Sequence, residues 1–201
     1  MARSAPGTAP SSEATSSDGR ARRSERSRQA IVQALMALIG EGSPRPTAQQ
    51  VAERAGVGIR TVFRHFSDME TLYAEMDVRL RVELRPLLRG GQPEGGLEER
   101  IVALVARRAD LFERFSPYHR SAALHRWRSH YLRGRHATDV RELRTNLLRW
   151  LPELEQRDSE LTDAAELATS SEAWDRLRSE QRLSRNRAST VIEGTLRRLL
   201  A

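Results

Sequence analysis

The chain has 201 residues, a formal net charge of +7 at pH 7 and no cysteine. Disulfides, thiol redox sensing and thiolate metal sites are therefore excluded. No apolar run approaches the roughly 20 residues that span a bilayer, and the N-terminus lacks the apolar core of a signal peptide, so we expect no membrane partner and a cytoplasmic protein. Every basic residue other than histidine is an arginine, and the positive charge suits a polyanionic partner.

The N-terminal region divides into a tail, an arginine-rich segment and a first helix. Residues 1–20 are rich in Ser, Ala, Pro, Thr and Gly and have almost nothing to bury, which predicts a disordered tail. Residues 20–28 contain five arginines. Such an arm can follow the DNA backbone or enter the minor groove, and a solubilising tail is the alternative. The apolar positions that predict the first helix are Ile31, Val32, Leu35, Leu38 and Ile39.

The next segment has the pattern of a helix-turn-helix. Thr47 followed by Gln50 is a capping box, and so is Ser67 followed by Glu70; each predicts the start of a helix. A short helix, a tight turn at Gly56 and a second short helix fill the interval between the two boxes. This order predicts a DNA major groove as the binding partner.

The second helix of this motif has an unusual outer face. Its pattern directs an isoleucine, a phenylalanine and two arginines away from the core. Apolar groups can meet thymine methyls in a groove, and arginine can bind guanine, so the face suits base contacts. We predict that Val57, Val62 and Phe66 face the core, and that Ile59, Arg60, Phe63 and Arg64 face DNA.

The motif resembles the tetracycline-repressor (TetR) family of bacterial regulators. The family pattern is Ala-Gly-Val-Ser-x-x-Thr-x-Tyr-x-His-Phe, then a short turn and Lys-Glu-x-Leu; residues 55–66 read AGVGIRTVFRHF and residues 67–72 read SDMETL. The chain departs from the family pattern at three positions, and each departure removes one contact to the DNA backbone. Gly58 replaces the serine cap, Phe63 replaces tyrosine, and Met69 replaces a basic residue.

The resemblance covers about residues 22–201 and implies further roles. Thr61 and His65 stand at positions that meet phosphate, although each could instead be a packed helix residue. Thr47 caps its helix, whose N-terminus can also face a phosphate, and Gln49 stands where some relatives reach a base. The predicted DNA-binding set is Thr47, Gln49, Ile59, Arg60, Thr61, Phe63, Arg64 and His65.

The rest of the chain predicts a second helical domain. We expect a helix-turn-helix domain over residues 21–68 and a ligand-sensing and dimerisation domain over residues 69–201, in an all-α fold of about nine helices. Pro86 is expected to kink or end one helix, and Ser116-Pro117 to break another. Residues 159–181 read as one helix, and Ser184 caps the last.

The last two predicted helices carry apolar stripes. In the TetR family these helices pair with their copies in a partner chain, so the resemblance implies a four-helix homodimer interface. Packing within one chain is the alternative. The stripe residues assigned to this interface are Leu161, Ala164, Ala165, Ala168, Ala188, Val191, Ile192, Thr195, Leu196 and Leu199.

A histidine-rich segment is the remaining candidate site. His119, His125, His130 and His136 lie close in sequence, but residues 114–138 contain no acidic residue, so we assign no metal. We consider a pocket for an anionic or aromatic ligand formed by His125, Trp127 and Tyr131. A partly buried helix with a basic outer face is the alternative.

These observations favour a TetR-like transcriptional regulator without a cofactor. It is expected to be a repressor that a small-molecule effector releases from a palindromic operator. A DNA-anchored protein-interaction factor without a ligand is the alternative, which an exposed apolar patch without a cavity would favour. No phosphate-binding glycine loop, cysteine nucleophile or supported Ser–His pair is present, so we predict no enzyme activity.

Overall fold

The computed structural model describes residues 12–201, with side chains described from residue 18 onward. Within that range the regular structure is entirely helical, which confirms the predicted all-α class of about nine helices. The helices are α1 (Ser12–Gly40), α2 (Ala48–Ala55), α3 (Ile59–His65), α4 (Met69–Arg89), α5 (Leu97–Arg126), α6 (His130–Trp150), α7 (Ser159–Ala168), α8 (Ser171–Asp175) and α9 (Arg185–Leu200). None of the helices in the described range could cross a membrane.

Helix α1 begins earlier than the composition predicts. It is helical from Ser12, so residues 12–20 differ from the predicted disordered tail, whereas residues 1–11 lie outside the described range. Side-chain pairs one turn apart support this exposed stretch: Arg22 contacts Asp18 at 2.8 Å. Such local pairs stabilise a helix without any apolar burial, which is why hydrophobicity alone did not indicate it.

Two hydrophobic cores lie along the chain, and α4 contributes to both. The first joins α1, α2 and α3 to the N-terminal half of α4, which supplies Leu72, Tyr73, Met76 and Leu80. The second joins α5, α6, α7, α8 and α9. Leu84 packs against both cores. Packing of the first core therefore continues past the boundary predicted after residue 68.

Helix α5 does not break at Ser116-Pro117, and the prediction of a break there is wrong. The helix runs through Pro117 to Arg126, as α4 runs through Pro86 to Arg89. An interior proline removes one backbone hydrogen bond and costs about 3 kcal/mol. Burial on both sides offsets this cost, because Phe112 lies in the second core and Ser121 is buried against the N-terminal domain.

The segment predicted as one helix over residues 159–181 is divided. Helix α7 ends at Ala168, and the side chain of Ser170 then accepts a hydrogen bond from the Ala173 amide at 3.1 Å, which caps α8. Helix α8 continues into a π-helical turn over Arg176–Glu180. The hydroxyl of Thr169 donates to the Ala165 carbonyl at 2.7 Å, so the buried turn satisfies its polar groups locally.

One buried arginine fixes this turn against the body of the protein. Arg108 of α5 donates to the carbonyls of Thr169 and Leu143, the latter at 2.7 Å. Desolvation lowers the pKa of Arg108 to about 10, which leaves the guanidinium charged at neutral pH. Its two hydrogen bonds hold α5, α6 and the α7–α8 turn in one arrangement.

Candidate DNA-reading surface and ligand cavity

The helix-turn-helix forms as its local signals predict. The Gln50 amide donates to the Thr47 hydroxyl at 3.2 Å, and the Thr47 amide donates to the Gln50 side chain at 2.8 Å. Gly56 ends α2 with φ of 66°, a left-handed conformation that favours glycine. Gly58 precedes α3 without a side-chain cap, in agreement with its departure from the family pattern.

The second predicted capping box does not form. Helix α4 is capped by Asp68, whose carboxylate accepts from the Thr71 amide at 2.7 Å, and not by Ser67. Glu70 is therefore free of the cap and instead accepts a hydrogen bond from Ser129, near the start of α6. Aspartate is a strong N-cap. Because Asp68 is the cap, α4 begins one residue later than the predicted capping box implies.

The outer face of α3 is apolar and basic. Ile59 is 39% exposed and Phe63 is 48% exposed, although both are large apolar residues. Arg60 and Arg64 are exposed on the same short helix, whereas Val62 is buried. An exposed apolar pair beside two arginines is unusual for a solvated surface, but apolar groups can meet thymine methyls and arginine can bind guanine in a major groove.

Thr61 and His65 occupy the half-buried side of α3. The Nε2 atom of His65 is buried and has no hydrogen-bond partner among the described residues. Burial, followed by the charges of Arg64 and Arg28, lowers the pKa of His65, so its ring is neutral at neutral pH. A neutral, inward ring favours the packed alternative for His65 over the predicted phosphate contact.

The two predicted contact residues near the start of α2 are exposed but already hydrogen-bonded. The Thr47 hydroxyl belongs to the capping box, and the Gln49 side chain donates to Glu53 at 2.7 Å. A base contact by Gln49 requires this intrahelical bond to be exchanged. The helix N-terminus itself remains at the surface.

The arginine-rich segment divides into one structural residue and an exposed group. Arg28 contacts Glu75 at 2.6 Å and lies 4.8 Å above the ring of Phe66. It therefore ties α1 to α3 and α4. The arginines at positions 22, 23 and 26 lie on the exposed part of α1, where they remain available to a polyanion.

A cavity of about 370 Å³ lies in the second domain, between α4, α5, α6 and the α7–α8 turn. Its apolar lining includes Leu80, Leu84, Leu111, Phe112, Phe115 and Val140. Three of the four arginines that line it are paired: Arg81 contacts Asp139 at 2.7 Å, Arg135 contacts the same carboxylate at 3.0 Å, and Arg89 contacts Glu142 at 3.4 Å. The cavity thus suits an apolar or aromatic body with a small polar group.

None of the three residues predicted to form a pocket, His125, Trp127 and Tyr131, lines this cavity. His125 packs 4.9 Å from the ring of Tyr73. Trp127 is 67% exposed. The Tyr131 hydroxyl donates to Asp77 at 3.0 Å.

Two other histidines of the same segment line the cavity, and a glutamate joins them. His119, His136 and Glu172 belong to α5, α6 and α8, and all three face this space. Its contact with His119 is the main cause that lowers the pKa of Glu172 to about 2, so the carboxylate is ionised. Sequence reasoning missed Glu172 because it stands 36 residues after His136, beyond any local motif.

The stripe assigned to a dimer interface lies partly inside the single chain. Ala165, Ala188, Ile192 and Leu196 are buried in the second core, so their assignment to an intermolecular surface is corrected. They face α5 and each other, as the alternative reading expected. The residues of the set that keep some exposure are Leu161, Ala164, Ala168, Val191, Thr195 and Leu199. Leu167, which the sequence reading omitted, is 65% exposed.

An all-helical chain with a helix-turn-helix and a separate helical body defines a structural class of DNA-binding regulators. Residues 31–76 match the sequence model of the family described as bacterial regulatory proteins, tetR family. This match covers the helix-turn-helix part of the chain, for which the family implies DNA binding. No curated protein matches the chain.

Solved structures share the fold over most of the chain. A transcriptional regulator from Rhodococcus sp. Rha1 aligns with a TM-score of 0.65 at 20% identity, covering 88% of this chain and 95% of its own. A protein described as a TetR-family transcriptional regulator from Mesorhizobium loti gives 0.57 at 21% identity, covering 89% and 96%. A TetR transcriptional regulator from Rhodococcus sp. RHA1 gives 0.54 at 19%, covering 87% and 96%.

Proposed function

We propose that this protein is a homodimeric transcriptional repressor that binds a palindromic operator through α3 and is released by a small-molecule effector. The outer face of α3 supports the proposal, because exposed Ile59 and Phe63 beside Arg60 and Arg64 suit contacts with base edges. Two such helices in a two-fold dimer meet successive major grooves when they are about 34–36 Å apart.

The cavity supports effector control over the alternative of a ligand-free interaction factor. Helix α4 runs from the first core to the cavity wall, where Leu80, Arg81 and Leu84 line it. A ligand that prefers one position of α4 can therefore change the placement of α3. Near the other end of α5, Ser121 donates to the Pro44 carbonyl at 2.8 Å and contacts Tyr73, so α5 also reaches the DNA-binding domain.

The effector hypothesis is tested by filling the cavity. We expect Val140→Trp to keep operator binding but to lose the stabilisation that hits from a small-molecule thermal-shift screen give to the unaltered chain. Val78→Trp, an exposed site on α4, is the matched control and should respond like the unaltered chain. Identical responses of both variants would favour the interaction factor.

Arg60 is the side chain that we expect to read a base. Operator sequences would be obtained by selection from random double-stranded DNA with the full chain. Arg60→Ala should weaken binding to the selected operator by about 1–3 kcal/mol and relax the preference at one base pair. Arg176→Ala removes an exposed arginine of the π-helical turn and should leave affinity unchanged. Equal behaviour of the two variants on every operator contradicts the assignment.

The exposed arginines of α1 are expected to contact phosphates. Replacing Arg22, Arg23 and Arg26 with glutamine should reduce the slope of log affinity against log salt by up to about 2.7 for each chain, or about 5.4 for the proposed homodimer, because each neutralised phosphate releases about 0.9 counterion. The fold should persist, since these side chains are exposed. Arg28→Gln is the contrasting variant: it should lower the free energy of unfolding because Arg28 binds Glu75. An unchanged slope in the triple variant would show that the arm stays in solvent.

A further inference from the structure

Three potential metal ligands from three helices meet at one wall of the cavity. The Nε2 atom of His119 lies 3.4 Å from a carboxylate oxygen of Glu172, and the Nε2 atom of His136 lies 3.9 Å from the same oxygen. One ligand atom from each of the three residues lies within 4.8 Å of the other two. No described carboxylate other than Glu172 joins this cluster.

The spacing of these atoms is close to that of a metal site. Zinc binds histidine nitrogen and carboxylate oxygen at about 2.0–2.2 Å in tetrahedral geometry, which places neighbouring ligand atoms roughly 3.4 Å apart. The His119–Glu172 pair already has this separation. The other pairs lie within 4.8 Å, wider by up to about 1.4 Å, a difference that rotation of two imidazoles and one glutamate side chain can close.

We propose that His119, His136 and Glu172 bind one divalent transition-metal ion, with Zn²⁺ as the representative, and leave a coordination position open to the cavity. Two histidines and one glutamate with an open fourth position form a known zinc ligand set. Imidazole also suits nickel, copper and iron(II). An oxygen donor on an otherwise apolar ligand, such as a carboxylate or a phenolate, would fill the open position.

The surroundings orient two of the three ligands. The Ser171 hydroxyl donates to the Glu172 Oε2 atom at 2.9 Å, which leaves the Oε1 atom facing both imidazoles. The ring of Phe115 lies 5.8 Å from that of His119 and packs beside it. Such secondary contacts commonly hold metal ligands in place. The His136 ring makes no side-chain hydrogen bond within the described residues, so binding an ion costs it none.

One neighbour opposes the ion. A guanidinium nitrogen of Arg126 lies 3.2 Å from the His119 Nε2 atom, and a metal ion would need that nitrogen lone pair. The Arg126 side chain must therefore turn away when the ion binds. Because Arg126 competes with the ion for this nitrogen, we expect the Arg126→Gln variant to bind the metal more tightly than the unaltered chain does.

The metal site does not depend on DNA binding, but the role of the ion as a ligand anchor rests on the proposed effector control. Titration of the chelator-treated full chain with Zn²⁺, followed by calorimetry, should show one ion per chain. Co²⁺ should give the visible absorption of a low-coordinate nitrogen and oxygen site. His119→Asn and His136→Asn should each lower the Zn²⁺ affinity by at least about tenfold, since loss of even a secondary contact costs that much.

Controls separate this site from chance binding. His130→Asn, an exposed histidine outside the cluster, should bind Zn²⁺ as the unaltered chain does. Glu172→Gln changes an exposed side chain, so it tests the site if a histidine variant fails to fold. Equal affinity in all ligand variants, or an equal loss in His130→Asn, overturns the metal site. Zn²⁺ binding without operator binding would refute the proposed function alone, and operator binding without Zn²⁺ binding would refute this site alone.

Discussion

Trp174→Ala is expected to lower the free energy of unfolding by about 3–5 kcal/mol, the usual cost of removing a large buried aromatic side chain. Trp174 is 1% exposed in the second core, where its ring lies 6.4 Å from that of Phe112. Its Nε1 atom donates to Glu113 at 3.1 Å, so truncation also removes a hydrogen bond. Urea denaturation followed by circular dichroism measures the change.

Trp127→Ala provides a matched control for this prediction. Trp127 is 67% exposed, and its main contact is Arg128, whose guanidinium lies 4.2 Å from the ring. Loss of that exposed contact should change the free energy of unfolding by less than about 1 kcal/mol. If both tryptophan variants lose stability equally, the packing of α8 against α5 is misassigned. Trp174→Ala should also disturb Glu172, which stands on the same short helix.

The double variant Leu167→Glu and Val191→Glu is expected to convert a homodimer into single chains. Both residues are exposed in the single chain, at 65% and 37%, on the faces of α7 and α9 that turn away from the core. Gly194 and Thr195 keep the α9 face small enough for close helix approach. Loss of the second DNA-binding domain should weaken operator binding on the order of 100-fold or more, because the two half-sites are no longer bound together.

Analytical ultracentrifugation gives the mass of the double variant. Val78→Glu introduces charge at another exposed apolar site, on α4, and should leave the dimer intact. Ile192→Glu is unsuitable as a test, because Ile192 is buried in its own chain and charge there would unfold the domain. A double variant that still sediments as a dimer would place the interface on another face.

The DNA-binding half could be predicted in detail from the sequence because its signals are local. The cap of α2 at Thr47, the left-handed turn at Gly56 and the uncapped start at Gly58 each depend on residues within one turn. The alternation of buried Val62 with exposed Phe63 follows from the helical period alone. Two helix starts differed: α4 begins later because Asp68 competes with Ser67 as the cap, and α1 begins earlier than its composition predicts.

For the C-terminal helical body, the sequence predicted only the all-α fold class. Periodicity identifies the apolar face of a helix but not which element packs against that face. The stripe containing Ile192 and Leu196 is real, yet α5 of the same chain covers it. Pro117 reads as a helix end, whereas packing on both sides of it keeps α5 continuous. The cavity depends on distant segments brought together by the fold, and no spacing in the sequence links His119 to Glu172.

Sharing α4 between two cores limits how this protein can be cut and recombined. A fragment that stops at residue 68 would lack Leu72, Tyr73 and Met76, and would present an open apolar groove to water. The smallest DNA-binding fragment that folds on its own should therefore extend through Leu80. Chimaeras that join this DNA-binding domain to the helical body of another protein of the same fold should have their junction within α4, beyond Leu80, and preserve the rotational phase of that helix. A junction that shifts α4 by one residue would rotate the DNA-binding domain by about 100° relative to the C-terminal helical body.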